Sequence, residues 1–377
     1  MGKGRSADAR CLSKTFHALI MNVLWFIEGR SVPASRYRAI QLFPYLEKHG
    51  LKIKTAASRP EKYSPNSQNS IIFGLALVIK IIVRLFQISL IFWADIVIIQ
   101  RELTPYGIGH LELLIAKLHK KVIFDYDDAL EISYRAAHPF IQRMGNEQIF
   151  QKLLKSMNLI IVGNKMLSQY AEKFNQNIVI IPTTINTDLY LPITTKSNKI
   201  PVIGWMGTSG NLKNLKLVSP ALNKLSDERF KFKLRIISNE VPRSIINNHP
   251  FTEFTPWSAE SEIKDLQNFD IGIMPLEDTE WNRGKCGFKL IQYMAVGLAT
   301  VSSPVGVNEE IITNSVNGFS AKSPDEWYTA LKILLADQNT RIQQGKNARK
   351  TIEDRYSLKR WTPKIFQNIK ILFDKNL

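Results

Sequence analysis

Short, uninterrupted apolar runs recur along this 377-residue chain, separated by stretches of helical periodicity. In the first half the runs are MNVLWFIE (21–28), LKIKTAA (51–57), DIVIIQ (95–100), KVIFDY (121–126), LIIVGN (159–164) and IVIIPT (178–183). Between them lie stretches such as RYRAIQLFPYLEKHG and HLELLIAKLHK. Strands without polar alternation are buried on both faces, and intervening helices are the crossovers that a parallel sheet requires. After a polar break bounded by two prolines, LPITTKSNKIP (191–201), the alternation resumes with VIGWMG (202–207), FKLRIIS (232–238), FDIGIMP (269–275) and LATVSSP (298–304). The pattern predicts an α/β chain of two doubly wound, Rossmann-like modules. A flexible start (1–18) precedes a first module (19–192), a linker (193–201) and a second module (202–355). A closing helix over 356–377 is positioned to cross back to the first module. Two such modules facing one another enclose a cleft, the usual seat of a ligand.

Composition narrows the classes. Hydrophobic residues make up 45% and charged residues 22%, enough apolar material for two cores and too much for a disordered chain. The two cysteines, Cys11 and Cys286, are far apart, which argues against a disulfide framework or zinc site and for a reducing cytoplasmic setting. The formal charge of +17 is spread over both halves and points to an anionic partner: nucleic acid, a lipid surface or a phosphorylated small molecule. The six histidines show no metal-ligand or triad spacing, and the aromatic residues no repeated base-stacking pattern. Gly2 and Ser6 match the bare myristoylation pattern, which is short and frequent by chance.

Residues 71–94 are long enough and apolar enough to span a bilayer. Their apolar residues favour insertion by roughly 5–10 kcal/mol, while Lys80 and Arg84 together oppose it by roughly 5–7 kcal/mol. Topology decides, because strand patterns flank the segment on both sides, and if those strands share one sheet a crossing would separate them. Lys80, Arg84 and Gln87 fall on one helical stripe, so we expect a helix packed on the sheet, its basic stripe turned to water or to lipid headgroups.

Four segments carry candidate chemistry. In GWMGTSGNLK (204–213) a strand ends in glycines before a helical pattern, leaving backbone N–H groups that suit a phosphate. In WNRGKCGFKLIQYMAVG (281–297), Arg283, Lys285 and Lys289 crowd a helix start beside glycines. Cations together with open N–H groups suit a diphosphate, each charge-assisted bond contributing about 1.5–3 kcal/mol. In FDYDDALE (124–131), Asp127 and Asp128 follow a strand end, where carboxylates can orient hydroxyls. After the first strand, Ser35 is a candidate helix cap, with Arg36 and Arg38 in the turn it opens; cations there oppose the helix dipole unless an anion pairs with them.

The segment 281–312 resembles the donor-binding region of family 4 glycosyltransferases, whose pattern is Glu-Gly-Phe-Gly-x-x-x-x-Glu-Ala-Met-Ala-x-Gly-x-Pro-Val-Val followed by Gly-Gly-x-x-Glu. Gln292, Tyr293, Met294, Ala295, Gly297, Gly306 and Glu310 fall in register. The paired glutamates are replaced by Gly284 and Gln292. In GWMGTSGNLK, Gly207 and Lys213 align with the family's phosphate-binding glycine and lysine, and Thr208 stands where an arginine is usual. The likeness runs from the first module to the closing helices.

The resemblance implies a GT-B fold and a retaining, metal-independent hexosyltransferase that moves a sugar from a nucleotide-diphosphate donor to a hydroxyl acceptor. Donor contacts fall to Gly207, Thr208, Lys213, Arg283, Lys285, Lys289, Gln292 and Glu310. Acceptor contacts fall to Ser35, Arg36 and Arg38, with Asp127 and Asp128 as catalytic residues. No cofactor or metal is expected. The partners expected are the nucleotide-sugar and a sugar or lipid-linked acceptor; an anionic membrane surface is compatible with the charge, and nucleic acid is not expected. By family analogy the setting is cell-surface polysaccharide or glycolipid synthesis, in the cytoplasm or on the cytoplasmic face of a membrane. Alternatives on the same residues are another enzyme of this fold (a sugar-nucleotide epimerase or a phosphorylase) or a non-catalytic protein that binds membrane surfaces or nucleic acid.

Overall fold

Six parallel strands form the first sheet: β1 (Met21–Ile27), β2 (Leu51–Ala57), β3 (Ile96–Gln100), β4 (Val122–Tyr126), β5 (Leu159–Val162) and β6 (Ile178–Ile180). Their order is β2-β1-β3-β4-β5-β6 in this computed structural model, which describes residues 20–58, 70–103, 109–136, 146–193 and 198–375. The expected flexible start, the Gly2/Ser6 pattern and part of the linker lie outside the described residues. β3 and β4 are buried at every position, as their unbroken apolar runs require when helices cover both faces. Ile88, Ile115, Phe150 and Leu167 pack on one face, against Phe26, Ile99 and Phe124.

The second sheet is also six-stranded and parallel: β7 (Val202–Met206), β8 (Lys233–Ser238), β9 (Thr252–Pro256), β10 (Ile271–Met274), β11 (Ala299–Ser302) and β12 (Phe319–Ser320), in the order β12-β11-β10-β7-β8-β9. The two edge strands β9 and β12 are additions to the sequence reading, since TEFTP is half polar and β12 has only two residues. The glycine turn after β7 leads into a 3₁₀ turn over Ser209–Leu217 before the α-helix Ser219–Asp227 begins. The closing helix Leu358–Asp374 packs Ile365, Ile369 and Leu372 with Val23 and Trp25 of the first sheet. In each sheet the chain reverses its direction of growth beside the first strand laid down, between β1 and β3 and between β7 and β10. Ligands of doubly wound sheets bind outside the carboxyl ends of the strands at such points.

The helix Ser70–Ile88 corrects the expected orientation of residues 71–94. Its basic stripe faces inward: Arg84 is 1% exposed and Lys80 8%. The Arg84 guanidinium donates to the carbonyls of Ile27, Ala56 and Leu103 at 2.7–2.9 Å and to Gln87 Oε1 at 2.9 Å. Carbonyls left over at strand ends need donors, and a buried arginine supplies several at once. Burial lowers its pKa to about 10. Among the described residues no helix is long and apolar enough to cross a membrane.

Candidate active site

The carboxyl ends of the two sheets meet across a cavity of about 290 Å³. From the first domain it is lined by Pro33 after β1, Arg101 after β3, Asp127 and Asp128 after β4, and Thr183 after β6. From the second come Asn211 after β7, Met274 at the end of β10, and Lys285 to Lys289 at the start of the helix Phe288–Ala295. Both topological switch points therefore open into one space.

The first-domain wall is acidic. β4 holds Asp125 in the sheet, where its carboxylate is taken by Arg38, and then releases Asp127 and Asp128 into the loop. Arg101 Nη2 donates to Asp128 Oδ2 at 2.5 Å, and its Nε lies 3.9 Å from Asp127 Oδ1. Thr183 Oγ1 donates weakly to Asp127 Oδ2 at 3.5 Å. Asp127 Oδ1 is buried and has no hydrogen-bond partner among the described residues. Burial pushes the Asp128 carboxyl up while Arg101 pulls it down. Arg101 has φ +56°, uncommon for a non-glycine residue, and its N–H is tied to the Asp125 carbonyl at 2.7 Å. Strained backbone of this kind persists where the surroundings impose it, commonly at ligand sites.

The opposite wall is basic. Lys285 Nζ donates to Asn211 Oδ1 at 3.1 Å; Lys289 Nζ stands 5.1 Å from the Trp205 ring centroid and has no carboxylate partner among the described residues. Burial lowers the pKa of Lys285, with Asp128 partly restoring it, and lowers that of Lys289 to about 7 with help from Lys285. The helix that carries Lys289 starts at Gly287, at φ +65°, with no acidic residue in its first turn. Two cations at a helix N-terminus oppose each other and the dipole, which an anion between them would relieve. Gly207 supports this geometry, because a Cβ there would meet Lys289 Cε at 2.6 Å. Among the described residues no group of three or more His, Cys, Asp or Glu side chains is disposed to hold a metal.

Several expected site residues do not converge on the cavity. Ser35 does not cap its helix: it lies inside Pro33–Arg38, fully buried, with its Oγ unpartnered, and Val32 occupies the cap position. Arg38 is spent on Asp125 and on the Ile181 carbonyl at 2.6 Å. Arg36 reaches Glu262 of the second domain at 3.3 Å, so neither arginine is free for an acceptor. Arg283 is exposed and paired with Asp278 at 2.6 Å, outside the cavity lining. Thr208 Oγ1 accepts from Asn211, and Lys213 is exposed but close enough to lower the pKa of Lys285. Glu310 is exposed, its carbonyl bonded to Arg355. Gln292 is 4% exposed, and its Nε2 lies 3.4 Å from the hydroxyls of Tyr37 and Tyr190, too enclosed to meet a ribose.

Arg101 and Glu262 escaped the sequence reading. Glu262 is 3% exposed and accepts from Tyr37, from Tyr190 at 2.6 Å and from Trp257 Nε1 at 2.9 Å, so it binds the first domain to the second. Cys286 reinforces the contact, its Sγ donating to the Asp127 carbonyl at 3.2 Å, while Asn164 Nδ2 donates to the Gly284 carbonyl at 2.8 Å. Neither residue had a local signal: Arg101 follows an ordinary strand and Glu262 starts a short polar helix.

Residues 200–337 match the family model described as Glycosyl transferases group 1. No curated protein matches the chain by sequence. Among solved structures, sucrose-phosphate synthase from Thermosynechococcus elongatus is 13% identical with a TM-score of 0.70, covering 94% of this chain and 99% of that one. A glycosyltransferase from Rickettsia africae is 16% identical with a TM-score of 0.66, over 94% and 99%. HepE from Anabaena in complex with UDP is 12% identical with a TM-score of 0.64, over 93% and 100%. With both doubly wound domains superimposable on these structures, the chain has the GT-B fold, and its residues 200–337 are similar to the glycosyl transferases group 1 family.

Proposed function

We propose that this protein is a retaining, metal-independent glycosyltransferase that moves a hexosyl group from a nucleotide-diphosphate donor onto a hydroxyl acceptor. The observation that carries the reading is the opposition, across one cavity, of Lys285 and Lys289 to Asp127 and Asp128. The lysines and the first-turn N–H groups of Phe288–Ala295 receive the diphosphate, while Asp127, in the facing wall of the cavity, holds the acceptor hydroxyl. The bond from the anomeric carbon to the diphosphate oxygen breaks and the bond to the acceptor oxygen forms. The hydroxyl proton passes to Asp127, and the negative charge gathering on the diphosphate is met by the two ammonium groups. Catalysis of this kind is positioning plus electrostatic stabilisation of the leaving group. Retention follows the family resemblance, as does a setting in polysaccharide or glycolipid assembly at the cytoplasmic face of a membrane. The net charge of +17 suits an anionic surface.

The test is a thermal-shift panel of nucleotide-diphosphate sugars, headed by UDP-glucose, on wild type and Lys289→Ala. The HepE structures contain UDP and UDP-glucose, which makes them the first probes. We expect one family of donors to stabilise wild type and to lose most of that effect in Lys289→Ala; a panel without effect on wild type would overturn the donor site. The anomeric configuration of the product, read by NMR, tests retention.

A further inference from the structure

The helix Ser70–Ile88 is built the wrong way round for a surface helix of a protein surrounded only by water. Its charged stripe is buried, as described above, and its outer face is apolar. Val78, Ile79, Ile82 and Leu85 are 46–52% exposed, and Phe86 is 77% exposed. The face continues into the next turn, where Phe92 is 75% exposed. Isolated exposed apolar residues are ordinary, whereas a continuous row of this kind marks a surface that meets something apolar.

Charge identifies the occupant. Residues 70–94 contain no Asp or Glu. Lys54 of the neighbouring edge strand β2 stacks its ammonium 4.0 Å from the Trp93 ring centroid, and Lys52 is exposed beside it. On the other side, His119 Nε2 is 2.9 Å from the Ala94 carbonyl, which brings the exposed Lys117 and Lys120 next to the same turn. An apolar face rimmed by lysines, with a tryptophan at the boundary, is complementary to lipid tails beneath anionic headgroups. We infer that the outer face of Ser70–Ile88 and the Phe92 turn dock this protein on an anionic lipid bilayer, lying in the interface rather than crossing it. This deepens the membrane-surface part of the proposed function and rests on that reading.

The same helix is coupled to the cavity. Arg84 holds the Ile27 carbonyl, at the end of the strand that leads to Pro33, and the Leu103 carbonyl, two residues beyond Arg101. Both carbonyls lie at the carboxyl edge of the first sheet, the edge on which the cavity opens. Docking therefore brings the acidic, acceptor-holding wall to the lipid surface.

The experiment is co-sedimentation of the full chain with vesicles of phosphatidylcholine containing about one-third phosphatidylglycerol, against pure phosphatidylcholine. The variant is Phe86→Glu combined with Phe92→Glu, two exposed positions outside the cavity. Wild type is expected to sediment with the anionic vesicles, and the double variant to lose at least about tenfold in partitioning, since a charge in place of each aromatic removes apolar insertion. A thermal shift with nucleotide-diphosphate sugars, measured in parallel, is expected to be the same in both proteins, so failure of the donor reading is seen separately. Wild type left in the supernatant, or a double variant that sediments equally well, overturns the proposal. So does light scattering without lipid that finds wild type dimeric and the double variant monomeric, which would assign the face to a second copy.

Discussion

The ammonium of Lys289 lies against Gly207: a Cβ built at Gly207 would stand 2.6 Å from Lys289 Cε and 2.8 Å from Nζ. The glycine at the end of β7 thus admits the side chain that the helix Phe288–Ala295 sends into the cavity. The lysine terminus can move aside, but the buried Trp205 ring, 2.9 Å from the same Cβ, has less room to do so, so Gly207→Ala is expected to displace the ammonium and to lower the Tm by several degrees. The expected result is a donor affinity at least about tenfold weaker, or ~1.4 kcal/mol, by calorimetric titration.

Donor binding is also expected to depend on pH through Lys289. With burial holding it at about 7, it is charged below that value and neutral above. A diphosphate binds the charged form, so donor affinity is expected to fall as pH rises from 7 to 9, by up to about tenfold per unit. Stability runs the other way: between 7 and the ordinary lysine range the unfolded chain holds a proton that the folded chain lacks, so this group's contribution rises with pH. Lys289→Met is accordingly expected to stabilise the free protein at pH 6 by about 1–2 kcal/mol. Denaturant melts of both proteins at pH 6 and 9 check the sign.

A substitution at Asp127 is expected to separate binding from turnover. Asp127→Asn retains the shape but neither the charge nor the capacity to take a proton. We expect a fall in kcat of about 10²-fold with donor affinity changed less than about threefold. Unchanged turnover removes Asp127 from the site.

Arg38 and Asp125 predict a structural effect where the sequence suggested an anion-binding one. The pair is buried, and removing one partner strands a charge. Arg38→Ala is expected to cost about 3–5 kcal/mol, and the joint change to Met and Leu considerably less, measured as a double-mutant cycle in urea.

Glu262 ties the domains together through Arg36, Tyr37 and Tyr190. Glu262→Ala removes the shared acceptor of a guanidinium and of two buried hydroxyls, which keep only their bond to each other at 2.6 Å, at a cost of about 2–4 kcal/mol. We expect a lower Tm and a larger radius of gyration by small-angle scattering, with donor binding restoring part of the compaction.

Much of this was legible in the residues. Unbroken apolar runs such as IVIIQ and LIIV identify central parallel strands, and only edge strands such as TEFTP, half polar because one side is solvated, escaped notice. Asp127, Asp128, Lys285 and Lys289 stood out because short polar or basic clusters at strand ends and helix starts have few purely structural uses. Arg101 did not, since what marks it is a left-handed backbone that the side chain does not announce.

The sequence by itself determined two doubly wound domains, the position of their carboxyl-end loops and the types of charge those loops carry. Only the tertiary structure decided which charges are free. Arg38 meets Asp125 across 87 residues and Arg36 meets Glu262 across 226, so two candidate anion-binding arginines are neutralised by partners that no local pattern could name. The inward turn of Arg84 is of the same kind, because its acceptors are carbonyls on β1, on β2 and after β3. Apolar periodicity is local and survives in the sequence; the pairing of charges depends on sheet order and domain closure, which bring together groups far apart along the chain.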